Sequence, residues 1–356
     1  MSDRLLTFRS GGWVLLVMAA LVIAILAWAL AGPLMGHRRV GDGRTVESYG
    51  FTLEPTTVAL AEIVPSGEPR DFLPAFRSLG TMPGSDMEAF NARKRRKYVV
   101  SSDRVIGVTI GGESRAYPIT LLNGHEIALD ELGGVPIAVT YSPLGDSVAV
   151  YDRRVDGKTL EFGVSGLLRN ANLLMYDVVP DGDAAARSSL WSQYEGRAIA
   201  GPLAGRELVR IPGTCVTTWE DWFATHPGTT VTLRDEGQLA RYRQISYERY
   251  FESPRIDFPL VREVPAVEGL TLKSPVVLLE RGDDRAIVPL ERFRRKGETV
   301  RVPVELGGAT VTLVIPDRTG AWRVDGDGTT VARSSLWFLP GAVVEGSPTA
   351  VVPTGP

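Results

Sequence analysis

Val105-Ile106-Gly107-Val108, then Ser114-Arg115-Ala116-Tyr117-Pro118, then Gly133-Gly134-Val135, returns later in the chain. The second passage reads Val276-Val277-Leu278-Leu279, Asp284-Arg285-Ala286-Ile287-Val288-Pro289 and Gly307-Gly308-Ala309. The parallel continues with Arg154-Val155-Asp156-Gly157 against Arg323-Val324-Asp325-Gly326, and Ser188-Ser189-Leu190-Trp191 against Ser334-Ser335-Leu336-Trp337. Chance can supply any one match, but several in the same order point to a duplication. The repeated runs are short, β-branched and broken by Gly-Gly, which is the signature of strands joined by tight hairpins. The expected fold is therefore mainly β (α+β), with a two-lobed β-rich body from an internal duplication and few short helices. The first copy carries a long insert between its Arg-Val-Asp-Gly turn and its Ser-Ser-Leu-Trp.

Outward from the repeat, Tyr98-Val99-Val100, Val105 to Ile110, Val135 to Tyr141 and Leu173 to Tyr176 read as strands, and Val155 to Lys158 as an Asp-Gly turn. The main helix is expected from Thr217. Thr217 and Glu220 have capping-box spacing, Trp219, Trp222 and Phe223 share one face, and Pro227-Gly228 is the stop. A second helical patch is expected within Leu239 to Phe251. Residues 36–97 read as an irregular arm punctuated by Pro65, Pro69, Pro74 and Pro83. The arm nevertheless carries Phe51, Leu53, Phe72, Leu73, Phe76 and Phe90, which must be buried against the body or a partner to offset the entropy of ordering. The expected divisions are 1–35 membrane anchor, 36–97 arm, 98–234 first lobe and 235–356 second, shorter lobe.

Trp13 to Leu34 is one uninterrupted apolar stretch without a charge, about the 20 residues a helix needs to cross a bilayer. Trp13 and Trp28 near its ends suit a retained interfacial anchor. The competing reading is a signal peptide, with Arg4 and Arg9 as its charged region and Ala29-Leu30-Ala31 as a small-residue cleavage site. Arg38, Arg39 and Arg44 follow the stretch, so the flanking charges do not orient it decisively, and large domains translocate largely regardless of such charges.

The net charge of −3 argues against a nucleic-acid binder held by phosphate contacts. The basic run Arg93-Lys94-Arg95-Arg96-Lys97 is local and reads as a solvated face. Cys215 is the single cysteine, which excludes an internal disulfide and a C-x-x-C-H haem attachment. With three histidines, His37, His125 and His226, a protein-built transition-metal site is hard to assemble. No cofactor and no metal site is expected.

Residues 98–234, and more weakly Tyr250 to about Gly297, resemble a bacterial family known as domain of unknown function 3179. The resemblance is carried by Arg115-Ala116-Tyr117-Pro118, Asn123-Gly124-His125-Glu126, Gly133-Gly134-Val135-Pro136 and Thr140-Tyr141-Ser142-Pro143-Leu144. It continues through Tyr151-Asp152-Arg153, Gly163 to Asn170, Leu174-Met175-Tyr176-Asp177, Ser189 to Gln193 and Gly201 to Gly205. The resemblance implies a secreted or membrane-anchored protein and brings no activity with it. Many members have Cys-Pro-Leu-Cys where this chain has Ser142-Pro143-Leu144-Gly145, so any thiol chemistry of those relatives is lost here. Others have a Trp where this chain has Gly124; His125-Glu126 is retained.

The one constellation with a base and orienting acids is His125 with Glu126, Ser142 and Asp152. Adjacent residues on an extended strand face opposite ways, so His125 and Glu126 would not converge there. A buried His bonded to backbone beneath the Tyr141–Pro143 loop is the simpler reading. Ser165 in Gly163-Val164-Ser165-Gly166 lacks the full G-x-S-x-G elbow and reads as part of a glycine-rich turn. Asn170 and Asn172 read as turn-stabilising side chains. Asp177, Asp181 and Asp183 lack the calcium-loop pattern and read as a polar loop.

The function expected from these features is a membrane-anchored, non-catalytic accessory subunit. Its extracytoplasmic body would pack on a larger integral membrane protein complex, such as a respiratory or photosynthetic electron-transfer assembly. It would be single-pass in the bacterial inner membrane through residues 13–34, with its body in the periplasm and no nucleic-acid partner. The alternative is an extracytoplasmic metal-binding protein or enzyme acting at the His125 region.

Overall fold

Both copies of the repeat fold into the same succession of elements. The computed structural model describes residues 12–34, 40–77, 80–94, 97–179, 185–234, 245, 247–318, 320–325 and 328–343. Two units are distinguished, Met1–Val40 and Gly41–Pro356. In the first, helix α1 spans Gly12–Leu34. Its side chains are described over 13–27 and all are exposed. Within the described residues no helix is long and apolar enough to cross a membrane.

The second unit begins with the arm, which contributes β1 (Ile63–Pro65), β2 (Gly80–Pro83) and α2 (Met87–Ala92). The first copy follows as β3 (Arg104–Ile110), β4 (Glu113–Pro118), α3 (Ile119–Leu122), β5 (Ile127–Leu132), β6 (Val135–Ser142) and β7 (Ser147–Asp152). Its insert forms β8 (Arg154–Val155), β9 (Lys158–Thr159), β10 (Phe162–Arg169), β11 (Asn172–Asp177), β12 (Leu190–Ser192) and β13 (Arg197–Ala200). The copy closes with β14 (Cys215–Thr218) and α4 (Trp219–Thr225), after which come β15 (Thr230–Leu233) and α5 (Glu248–Glu252). The second copy runs β16 (Pro275–Arg281), β17 (Asp284–Pro289), α6 (Leu290–Phe293), β18 (Val300–Leu306) and β19 (Ala309–Ile315). It ends with β20 (Arg323–Asp325), β21 (Val331–Leu336) and α7 (Phe338–Val343).

The two copies do not form separate lobes. One sheet has the order β17-β16-β21-β7-β6-β5, joining three strands of the second copy to three of the first. Its junction is the single pair Ser334↔Val148. The reciprocal arrangement is built from β4-β3-β14 of the first copy and β20-β19-β18 of the second. Here the junction is the bridge between Val216 and Trp322, whose backbones exchange both hydrogen bonds at 3.1 and 2.5 Å. Each repeated segment therefore completes the sheets of the other. The 234/235 boundary separates the copies along the chain but not in space. One core takes Val105, Val108 and Trp222 from the first copy and Val277, Leu313 and Trp322 from the second.

The fourth and fifth sequence matches are corrected by this topology: β20 pairs with β19 as β7 pairs with β6, so Arg323-Val324-Asp325 corresponds to Ala149-Val150-Tyr151 rather than to Arg154-Val155-Asp156. Ser188-Ser189-Leu190-Trp191 runs into β12 in a third sheet, of order β1-β10-β11-β12-β13. The counterpart of Ser334 to Trp337 is instead Val216 to Trp219, because β14 pairs with β3 as β21 pairs with β16. The third sheet packs over the outer face of β5, β6 and β7 through Leu129, Ala138, Ala149, Tyr151, Phe162 and Trp191. Covered on both faces, β6 is buried at every position from Ile137 to Ser142. By contrast β18 alternates, with Val302, Val304 and Leu306 inward and Arg301, Pro303 and Glu305 exposed. The Gly111-Gly112 and Gly133-Gly134 turns have positive φ at both residues, as two-residue hairpins require.

Other expectations shift in detail. Tyr98-Val99 is a bend, and Val100 leads into a turn at Ser101-Ser102, so this run is not a strand. The cap of α4 is Thr218, whose hydroxyl accepts from the Asp221 amide at 3.2 Å, one residue later than expected from Thr217. Within Leu239 to Phe251 the described helix is α5; residues 239–244 and 246 lie outside the described residues.

The arm is neither a free tether nor wholly irregular. Strand β1 pairs with β10 and β2 with β15. The Phe76 amide donates to Ile127 O, and Phe76 O accepts from the Leu129 amide, both at 2.8 Å. Tyr49, Ile63, Leu73 and Phe76 are buried. Of the two surfaces open to the arm's apolar side chains, these use the body.

Candidate functional site

Helix α3 is one turn long and ends at Asn123-Gly124-His125, where the amides of His125 and Glu126 still donate to Leu122 O at 3.2 and 2.7 Å. Glu126 adopts φ +57, the left-handed conformation that glycine usually supplies after a helix. A non-glycine residue held there carries local strain of about 1 kcal/mol or more. The reversal sends the two retained side chains apart. His125 is 1% exposed; its ring stacks on Phe76 at 4.7 Å, and Nδ1 lies 2.7 Å from Pro74 O. A carbonyl can only accept, so Nδ1 carries the proton. This much of His125 is structural: it ties the arm to the end of α3.

Glu126 instead lines a cavity of about 230 Å³. The floor is Val164, Gly166, Leu167, Leu168 and Leu173 from β10 and β11; Phe72, Leu144, Tyr247 and Phe258 form the walls, with Ser66 and Glu68 also on the lining. Glu126 is 8% exposed. Among the described residues no donor or cation reaches its carboxyl, and burial alone pushes its pKa up from 4.5 to about 8. Tyr247 is raised too, first by burial and then by the charges of Glu126 and Glu68. This is a carboxyl that stays protonated at neutral pH and faces an apolar, aromatic space.

The other candidates do not join it. Ser142 is buried and its Oγ accepts from the Leu173 amide at 3.2 Å. Asp152 is held by Arg154 at 2.5 to 3.0 Å, which lowers its pKa. On the β6–β7 ladder Ser142 pairs with Ser147 and Asp152 with Ile137, five rungs apart, or about 17 Å of strand. Ser165 donates to Leu174 O at 2.6 Å and accepts from the Leu167 amide at 3.0 Å. It lies where the β10 register shifts, so Gly163 to Gly166 form an irregularity within a strand rather than a turn between strands. Asn170 and Ala171, both at positive φ, turn β10 into β11. Asp177 accepts from the Ser189 amide and Trp191 Nε1 at 2.7 and 2.9 Å; Asp181 and Asp183 lie outside the described residues. Burial pushes the Cys215 thiol up to about 12, which leaves it inert. Among the described residues no group of three or more His, Cys, Asp or Glu side chains is placed to hold a metal ion.

A family model described as "Protein of unknown function (DUF3179)" matches residues 80–340. The chain belongs to this family. No curated protein and no solved structure matches it. The DUF3179 match extends beyond the 98–297 resemblance, taking in β2 at one end and the first half of α7 at the other.

In this DUF3179 chain the Ser142–Gly145 loop is closed to a second side chain. A Cβ on Gly145 would stand 2.4 Å from Leu339 Cδ1 and 3.0 Å from Asn172 Nδ2. Leu339 is fully buried with Phe338 and Tyr194, so it yields only at a cost. Gly145→Ala should therefore destabilise the protein by about 1–3 kcal/mol. Leu339→Ala alone should cost about 2–5 kcal/mol. Urea titration of the two single variants and the double should give a double loss clearly below the sum. Strict additivity would mean the two sites do not compete for the same space.

Sequence reasoning pointed to Glu126 but not to Phe72, Tyr247 or Phe258. Those three come from the arm and from the segment between the copies, and no spacing in the sequence relates them to Glu126.

Proposed function

We propose that this protein is a membrane-tethered, extracytoplasmic binding protein that holds a small, largely apolar ligand at Glu126 without chemistry of its own. The observation that carries this reading is the Glu126 carboxyl, which lines a mostly apolar pocket without a donor among the described residues. Burying a polar group unpaired costs on the order of 2 kcal/mol or more, and a ligand that meets it recovers that cost. The cavity exceeds the ~150 Å³ that suffices for benzene in an engineered core and is smaller than typical drug-sized sites.

The tether rests on α1, whose sequence Gly12–Leu34 is free of charged residues. Its 23 residues reach about 35 Å at the helical rise, a length comparable with the ~30 Å hydrocarbon core of a bilayer. The matching element series of the two copies support duplication as the origin of the body. The reading as a structural subunit on a larger membrane complex has less support, since much of the arm's apolar surface is used internally.

The full chain, purified in mild detergent, tests the binding reading. Short n-alcohols from butanol to octanol should raise its melting temperature, and a Leu144→Trp variant, which fills the cavity, should not respond. Equal responses from the two proteins, or none from either, would end the reading. Retention of the chain in membranes after alkaline carbonate washing checks the tether; release into the soluble fraction would remove it.

A further inference from the structure

The charge on the pocket wall has one sign. Glu126 and Glu68 are the acidic residues of the lining, and among the described residues that form it there is no Lys, Arg or His. Phe72, Tyr247 and Phe258 add three aromatic rings, whose faces attract cations. An anionic ligand would meet two carboxyl groups and no counter-charge. An inorganic cation of the calcium or magnesium type needs about six oxygen ligands, which this apolar wall does not offer.

We infer that the ligand is an organic cation, an amine with a compact apolar body of roughly six to ten non-hydrogen atoms, whose ammonium group pairs with Glu126. This inference rests on the binding reading above and narrows it. An ammonium supplies what the described residues of the site lack, a charged donor for the Glu126 carboxyl, and such charge-assisted bonds are the strong ones. Below about pH 8 the ammonium must also offset the cost of ionising the buried carboxyl. The Glu126 proton leaves to solvent as the cation enters, so binding is linked to pH.

The groups facing Glu126 are Glu68, Tyr247 and, one residue away, His125, whose ring is turned to Pro74. Tyr247 is raised above its ordinary range and stays neutral in the working window. Affinity for an alkylamine should thus rise by about tenfold per pH unit below pH 8, then level off until the amine itself loses its proton near pH 10.

The test is calorimetric titration of the full-length protein in detergent with n-hexylamine, n-hexanol and hexanoate at pH 6.5 and 8.5. Hexylamine should bind at least tenfold more tightly than hexanol at pH 8.5, with a smaller preference at pH 6.5 and no binding of hexanoate. Glu126→Gln, which should remain folded at both pH values, should bring hexylamine down to the affinity of hexanol. Hexanol binding as well as hexylamine in the wild type, or hexanoate binding best, would overturn the cation and leave the pocket standing. A hexylamine preference that survives Glu126→Gln would also overturn it. Failure of all three probes would remove the pocket reading as well.

Discussion

Glu126→Gln should make the protein more stable in alkaline solution and flatten its stability between pH 5 and 8. In the folded protein the carboxyl titrates at about 8 instead of 4.5. A raised folded pKa means that the folded state holds the proton more tightly, so stability is fully present below pH 4.5 and lost as pH rises to about 8. The whole change is worth about 5 kcal/mol at most. Glutamine is neutral throughout and keeps a polar group in the cavity, so part of the gain is offset by its own burial. At pH 8.5 the variant should gain roughly 3 kcal/mol, or about 5 to 10 °C in melting temperature. Near pH 4.5 the two proteins should melt together. Melting curves from pH 4.5 to 9 check this, and parallel pH profiles of wild type and variant would show that Glu126 is solvated.

Cutting the chain at the segment between the copies should abolish folding of both pieces. Residues 41–234 keep β7-β6-β5 but lose β17-β16-β21 from the same sheet, and they lose Trp322 from beside Val216. Residues 245–356 are left with two incomplete sheets and no third sheet. Loss of one buried Trp typically costs about 3–5 kcal/mol against a total stability of ~5–15 kcal/mol. Each fragment forfeits several such side chains, since Trp222, Val277, Leu313 and Trp322 occupy one core. Neither fragment alone should show a cooperative melting transition, whereas the two produced together should assemble into a folded pair. A sharp transition from either isolated fragment would restore two independent lobes.

Much of this architecture is legible in local chemistry. Gly111-Gly112, Gly133-Gly134 and Gly307-Gly308 mark hairpins because only a residue free of Cβ strain takes positive φ twice in succession at low cost. The alternation along Val300 to Leu306 announces a strand with one wet face. The order of the repeat places the hairpins and the insert, and the family resemblance follows from the same residues. These signals are local, since they depend on neighbours a few positions away.

What lies beyond that range was decided by tertiary contacts. Which three strands of one copy join which three of the other is set by packing across a core, and no spacing encodes it. The same limit produced the misplaced fifth match: Ser188 to Trp191 and Val216 to Trp219 compete as partners of Ser334 to Trp337, and pairing with β3 chooses between them. His125 and Glu126 stand side by side in the sequence, yet a single left-handed residue gives one to the arm and the other to the cavity. The strands, their turns and the repeated order follow from local chemistry alone, because backbone propensity and side-chain period act over a few residues. The interleaving of the copies and the isolation of Glu126 came only with the tertiary structure, because burial is a property of everything that surrounds a group.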